Sequence, residues 1–278
     1  MDFPTLFISH GAPSFALHPG QLGPQLTALG QQLPRPRAVL VMSPHWSTRA
    51  LSVDHADRPG TLHDFGGFER ALYALDYPAP GAPEVAAELV DALAVHGFNA
   101  QGVTTPGRDH GCWVPLMHLY PAADVPVLRL SQPFTPSPLA LLELGRAVAT
   151  LRTRGVLIVG SGALTHNLRD LDGGDAPASY ATEFGAWMGA RIAEGDLDAL
   201  LNYRYCAPAA RRAHPTDEHL LPLFFAIGAA GGQWTQARRL AGGLAHDAVN
   251  MDSFIFAAAP SEPRTAQSIQ SIPITEMS

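Results

Sequence analysis

Three histidines in this 278-residue chain each stand just beyond an apolar run. His10 follows Leu6-Phe7-Ile8-Ser9, and His45 follows Leu40-Val41-Met42-Ser43-Pro44. His166 follows Ile158-Val159-Gly160-Ser161-Gly162-Ala163-Leu164-Thr165. A neutral imidazole ligates divalent metals, and its unperturbed pKa near neutrality lets it carry protons. One histidine in such a place is more often a loop residue or a hydrogen-bond partner. Three in equivalent settings point to a shared site. Two more stand in His214-Pro215-Thr216-Asp217-Glu218-His219, and either His214 or His219 can complete a metal site with His10 and His45. The plain alternative there is helix-start chemistry, with Thr216 capping and Asp217 and Glu218 at the positive end of the dipole. In Asp109-His110-Gly111-Cys112-Trp113, His110 is either a group near a substrate or a turn residue held by Asp109. His118 lies at helical spacing among apolar neighbours and reads as core. His18, His55, His63, His96 and His246 have no context that sets them apart. A three-ligand site keeps positions open for catalysis, whereas structural zinc sites are closed and usually hold cysteines. Cys112 and Cys206 form no CxxC pair, which favours the open reading.

The elements that position these residues alternate along the chain. Apolar runs over 5–9, 38–42, 126–130, 156–159 and 252–257 predict strands, and their continuity suits strands covered on both faces. Helices are predicted over 82–97, 114–119, 138–154, 179–201 and 216–230. Ser137 serves as an N-cap, and Gly97 ends the first of them. Strands alternating with helices predict one α/β domain over 1–260, with a central, mostly parallel sheet and helices on both faces. The three strand-end histidines then fall at the carboxyl edge, where ligands bind in such sheets. Residues 261–278 are polar and read as a poorly ordered tail.

Composition removes several function classes. All 18 basic residues are Arg, which excludes Schiff-base chemistry, a P-loop lysine and a lysine general base. A net charge of −7 and the absence of a basic stripe exclude a nucleic-acid surface. No apolar run is long enough to cross a bilayer. The first residues carry neither a basic n-region nor an apolar h-region. Two isolated cysteines imply no disulfide framework, and a reducing cytoplasm is the expected location.

Taken in order, a set of short motifs resembles the class III extradiol ring-cleavage dioxygenases, in particular the DOPA 4,5-dioxygenase-like branch. They are Ser9-His10-Gly11-Ala12-Pro13, Ser43-Pro44-His45-Trp46, Leu75-Asp76-Tyr77-Pro78-Ala79-Pro80-Gly81, and Asp109-His110-Gly111 with Trp113-Val114-Pro115-Leu116. Gly160-Ser161-Gly162 through Thr165-His166-Asn167-Leu168 follows, and then His214-Pro215-Thr216 through His219. Each motif alone is weak; their order over most of the chain is specific. The resemblance implies a single α/β domain with one divalent metal, Fe(II) expected for activity and Zn(II) also associated with this branch. It implies His10 and His45 as ligands, His166 as the acid/base and His110 beside the substrate. Better-known members use a Glu in the first turn of the late helix as third ligand. Here His219 falls at that position, a departure, and His214 competes as ligand or substrate contact. The implied reaction is O2-dependent opening of a small catechol ring, in which the metal favours the catecholate and His166 handles its proton. A substrate carboxylate would need an Arg, with Arg108 and Arg169 as candidates, while Trp46 and Tyr77 could line an aromatic pocket. Two other readings use the same residues: a zinc hydrolase with a metal-bound hydroxide, and a non-catalytic metal- or partner-binding relative.

Overall fold

Branched apolar residues favour extended backbone, and four uninterrupted runs of them build the parallel part of the sheet. In the computed structural model, which describes residues 2–171 and 179–257, these are β1 (Thr5–Ser9), β2 (Ala38–Met42), β3 (Val127–Arg129) and β4 (Val156–Gly162). β5 (Ala237–Leu240) and β6 (Ser253–Phe256) complete six strands in the order β5-β6-β1-β4-β2-β3. β1, β4, β2 and β3 run parallel, and β6 is antiparallel to both its neighbours. β5 lies outside the strands read from sequence, because Arg238 and Arg239 stay exposed on this edge strand and break the apolar signal.

Alternate residues of a strand face opposite sides, so each strand feeds two cores. Phe7, Leu40, Leu128, Ile158 and Phe254 pack with helices α2 (Pro83–Val95), α4 (Pro138–Val148), α5 (Ser179–Glu194) and α6 (Pro222–Ala230). Leu6, Ile8, Val41, Val159 and Ile255 pack with α1 (Leu22–Gln32) and α3 (His110–Leu119). Helices thus cover both faces, as expected.

Helix boundaries differ from the sequence reading in three informative places. The stretch 179–201 is interrupted where Gly195 takes φ +71°, which separates α5 from a short helix at Leu197–Leu201. α3 starts earlier than expected, because the Asp109 carboxylate accepts the Cys112 N–H and caps it, making His110 its first residue. α6 starts later, at Pro222, where a missing N–H is harmless in the first turn. Thr216 does not cap it; its hydroxyl bonds the Glu218 carboxylate instead. His219 consequently sits on the turn before α6 rather than in a helical first turn. Among the described residues no helix is long and apolar enough to cross a membrane. Residues 261–278 lie outside the described residues.

Candidate active site

Strand register brings the histidines together. Ser9 pairs with Gly162 across β1 and β4, and the next residue, His10, donates its N–H to the Gly162 carbonyl at 2.8 Å. β2 ends at Met42 on the same edge and delivers His45. The turn bearing His219 lies against β4, where Ala163 N–H donates to the His219 carbonyl at 2.8 Å. That approach needs Gly162, since a Cβ there would stand 2.2 Å from the His219 oxygen. Gly111 has the same function on the other side: a Cβ would stand 2.9 Å from His45 Cδ2 and 2.4 Å from Ser43 Oγ.

His45 Nε2 is flanked by two other ring nitrogens; His10, His45 and His110 offer ligand atoms all within 4.8 Å of one another, as do His166, Glu218 and His219. His45 Nε2 lies 3.2 Å from His10 Nε2 and 3.3 Å from His219 Nε2. In His10 and His219 the other nitrogen fixes the tautomer. His10 Nδ1 lies 3.0 Å from Ser161 Oγ, and the Ser161 hydroxyl donates to the Gly111 carbonyl. Gly111 offers that carbonyl because Pro115, four residues on within α3, has no N–H to fill it. Ser161 is therefore an acceptor toward His10, whose Nδ1 carries the proton and whose Nε2 is a bare lone pair. His219 Nδ1 faces a Glu218 carboxylate oxygen at 3.1 Å, which leaves its Nε2 bare as well.

Two lone pairs thus converge on His45 Nε2, which has at most one proton to offer. A cation satisfies all three nitrogens. Nitrogens bound at about 2.0–2.2 Å to one ion stand about 2.8–3.6 Å apart, from octahedral to tetrahedral angles, so both separations from His45 fit a shared divalent metal. Burial, then the neighbouring imidazoles, hold His10 and His219 neutral far below the ordinary histidine range. His45 is lowered to about 4, first by burial and then by His110. All three are in the ligating form at neutral pH. His45 keeps 23% of its side-chain exposure and marks the open side.

Two further histidines adjoin the cluster. The His110 ring centroid is 4.0 Å from that of His45, and its Nδ1 lies 3.1 Å from both Asp64 oxygens, with its backbone N–H at 2.8 Å. His166 stacks flat on His219, with centroids 3.5 Å apart and planes 8° from parallel. Burial lowers its pKa, partly offset by Glu218.

The family model for the catalytic LigB subunit of aromatic ring-opening dioxygenase matches residues 22–250. This chain belongs to that family. The chain is 39% identical over 235 residues to 4,5-DOPA dioxygenase extradiol of Escherichia coli K12, covering 83% of this chain and 86% of the relative. The protein of the same name from Beta vulgaris is 39% identical over 232 residues, covering 82% and 87%. The crystal structure of an uncharacterized protein from Escherichia coli K12 superposes with a TM-score of 0.75 at 31% identity, over 92% of this chain and all of that one. The chain is an extradiol ring-cleavage dioxygenase, an oxidoreductase, and its family depends on a non-haem metal.

In this LigB-family chain the candidates that sequence left open fall in different surroundings. His214 lies outside the converging nitrogens. It is fully buried, its Nε2 donates to the Leu164 carbonyl at 2.8 Å, and its ring packs against Phe184. Its Nε2 is committed to that carbonyl, and neither set of ligand atoms lying within 4.8 Å of one another includes His214. Arg108 is buried, with its guanidinium spent on the Ala79, Pro80 and Val127 carbonyls. Arg169 is exposed on a short turn after His166. Tyr77 is buried, donating to the Tyr120 carbonyl at 3.0 Å, and the Arg129 guanidinium covers the Trp46 ring at 4.6 Å.

Three supporting features escape a sequence reading. Asp64 gives no local signal and meets His110 only because Gly60–Thr61 pairs with Gly107–Arg108. Ser161 is visible within Gly-Ser-Gly, yet its function depends on the Gly111 carbonyl, 50 residues away, that Pro115 frees; a proline inside a helical pattern is the signal that announces such a carbonyl. Buried Arg129 bridges Asp109 at 2.8 Å and Asp54 at 3.2 Å, while Asp109 accepts from Ser43 Oγ at 2.7 Å. This network ties the residue before His110 to the residue two before His45.

Proposed function

We propose that this chain opens the ring of a small catechol with O2 at one divalent metal held by His10, His45 and His219. The observation that carries this reading is the pair of Nε2 separations, 3.2 and 3.3 Å, from His45 to His10 and His219, whose Nδ1 atoms are already committed. Fe(II) is the metal proposed for activity, with Zn(II) accommodated by the same three imidazoles. When bound, ferrous iron supplies a Lewis acid that acidifies the catechol hydroxyls and a redox centre for O2. The rest falls to the side chains. His166, neutral and half-buried against His219, receives the hydroxyl proton and returns it as the ring opens. His110, its Nδ1 proton anchored on Asp64, presents the opposite ring nitrogen beside the substrate. Relatives named for 4,5-DOPA support a DOPA-like catechol. The partners are then the catechol and O2 alone, with no nucleic acid or membrane. The separate thiols, Cys112 buried and Cys206 exposed, suit a reducing cytoplasm.

The test is anaerobic purification, metal removal, and reloading with Fe(II) or Zn(II) before a catechol panel in an oxygen electrode. The expected result is one O2 consumed per ring opened with Fe(II), with a coloured product. Ester or amide hydrolysis by the zinc form without oxygen demand would overturn the proposal in favour of a hydrolase. Metal binding with no reaction on any substrate would favour a non-catalytic relative.

A further inference from the structure

We propose that His214 is a positioning residue for His166, acting through the Leu164 carbonyl and not through metal or substrate. The inference rests on the reading of His166 as the acid/base.

His166 stands on a loop that leaves β4 after Gly162, and three bonds fasten this loop to the segment before α6. Ala163 N–H donates to the His219 carbonyl, His166 N–H donates to the Ala213 carbonyl, and His214 Nε2–H donates to the Leu164 carbonyl, each at 2.8 Å. The first two are backbone bonds that any side chain permits. The third exists only because residue 214 is a histidine. Thr165 fastens the far side of the loop, donating to the Ala248 carbonyl and accepting from the Asn250 N–H at 2.7 Å each. His166 therefore sits between two clamps, one of which is an imidazole.

The protonation of His214 follows from its partner. A carbonyl only accepts, so Nε2 carries the hydrogen and Nδ1 is a bare lone pair. That lone pair is buried and has no partner among the described residues. An orphaned buried acceptor is unfavourable, and a leucine would fill the same space beside Phe184 without that cost. The imidazole makes sense only through what its other nitrogen does. Loss of the Leu164 bond would free the loop between its clamps and disturb the flat 3.5 Å stacking of His166 on His219. A shift of about 1 Å in a catalytic group is enough to cost roughly 100-fold in rate.

The test compares His214→Gln, whose amide nitrogen can occupy the Nε2 position, with His214→Leu and His214→Asn, which cannot reach Leu164. Each is made alone and together with His166→Ala. Readouts are metal per chain after dialysis, and kcat and KM of the Fe(II)-loaded enzyme. All three single variants should retain one metal per chain. His214→Leu should lose about 10–100-fold in kcat with KM within about 2-fold, and His214→Gln should recover most of that loss. His166→Ala alone should lose about 10²–10⁴-fold, and adding His214→Leu should then cost less than about 2-fold more. If His214→Leu does not fold, the contrast between His214→Gln and His214→Asn carries the same comparison. Loss of metal in the His214 variants, full kcat without the Leu164 bond, or a multiplicative loss on top of His166→Ala would each overturn the proposal. If His166→Ala alone keeps its turnover, the acid/base reading itself fails, an outcome distinct from failure of the His214 variants alone.

Discussion

Replacing Gly162 with Ala should damage the proposed metal site without touching the side chain of a proposed ligand. The new Cβ would stand 2.2 Å from the His219 carbonyl oxygen, whereas real Cβ contacts stay beyond 3.0 Å, so something must retreat by at least about 0.8 Å. Either the His219 turn moves out or β4 moves back. In the second case His10 follows, because its N–H is bonded to the Gly162 carbonyl. Whichever side yields, a ligand nitrogen moves several times farther than the roughly 0.2 Å tolerance of a metal–ligand bond. The expected cost is about 1–3 kcal/mol of stability from overpacking and a metal affinity roughly 10–100-fold weaker, comparable to losing an outer support of a ligand. Gly189→Ala is the control, since a Cβ on this α5 residue meets nothing within 4 Å. It should gain about 0.5–1 kcal/mol and leave metal binding unchanged. Chelator competition gives the affinities and urea unfolding of the metal-free proteins gives the stabilities. Wild-type metal affinity in Gly162→Ala would refute the claim that this glycine sets the position of His219.

Ser161→Ala should weaken metal binding about 10–100-fold in the same competition assay, because His10 Nδ1 loses its acceptor and the Gly111 carbonyl its donor. Arg129→Ala should cost about 3–5 kcal/mol in urea unfolding, since it leaves Asp109 and Asp54 buried without their cation; a loss below about 1 kcal/mol would show that water or rearrangement replaces it. Metal-free protein should grow more stable as pH rises from 4 to 6.5. His45 and His214 titrate near 4 in the fold and near 6.5 when unfolded, so across that window the unfolded chain binds more protons. Stability is complete above about 6.5 and is lost as pH falls, by up to about 1.4 kcal/mol per pH unit for each of these groups. Urea midpoints that do not change between pH 4.5 and 6.5 would contradict it.

β1, β2 and β4 were legible in the sequence because continuous branched apolar runs have few other uses, and with them came the placement of His10, His45 and His166 beyond strand ends. The third nitrogen of the proposed site was not legible. His214 and His219 lie five residues apart with similar neighbours, and only the late start of α6 at Pro222, with the turn laid against Gly162, brings His219 Nε2 into the cluster. The same holds for the tautomers. Ser161 meets Gly111 and His10, Asp64 meets His110, and Arg129 meets Asp54, all across long separations in the chain. Apolar patterning is a local property, repeated along each element, so the sequence by itself determined five of the sheet's six strands, its two covered faces and the edge that bears the histidines. Which nitrogen of each ring carries its proton, and where its lone pair points, depends on a partner brought close only by folding, and the tertiary structure alone decided it.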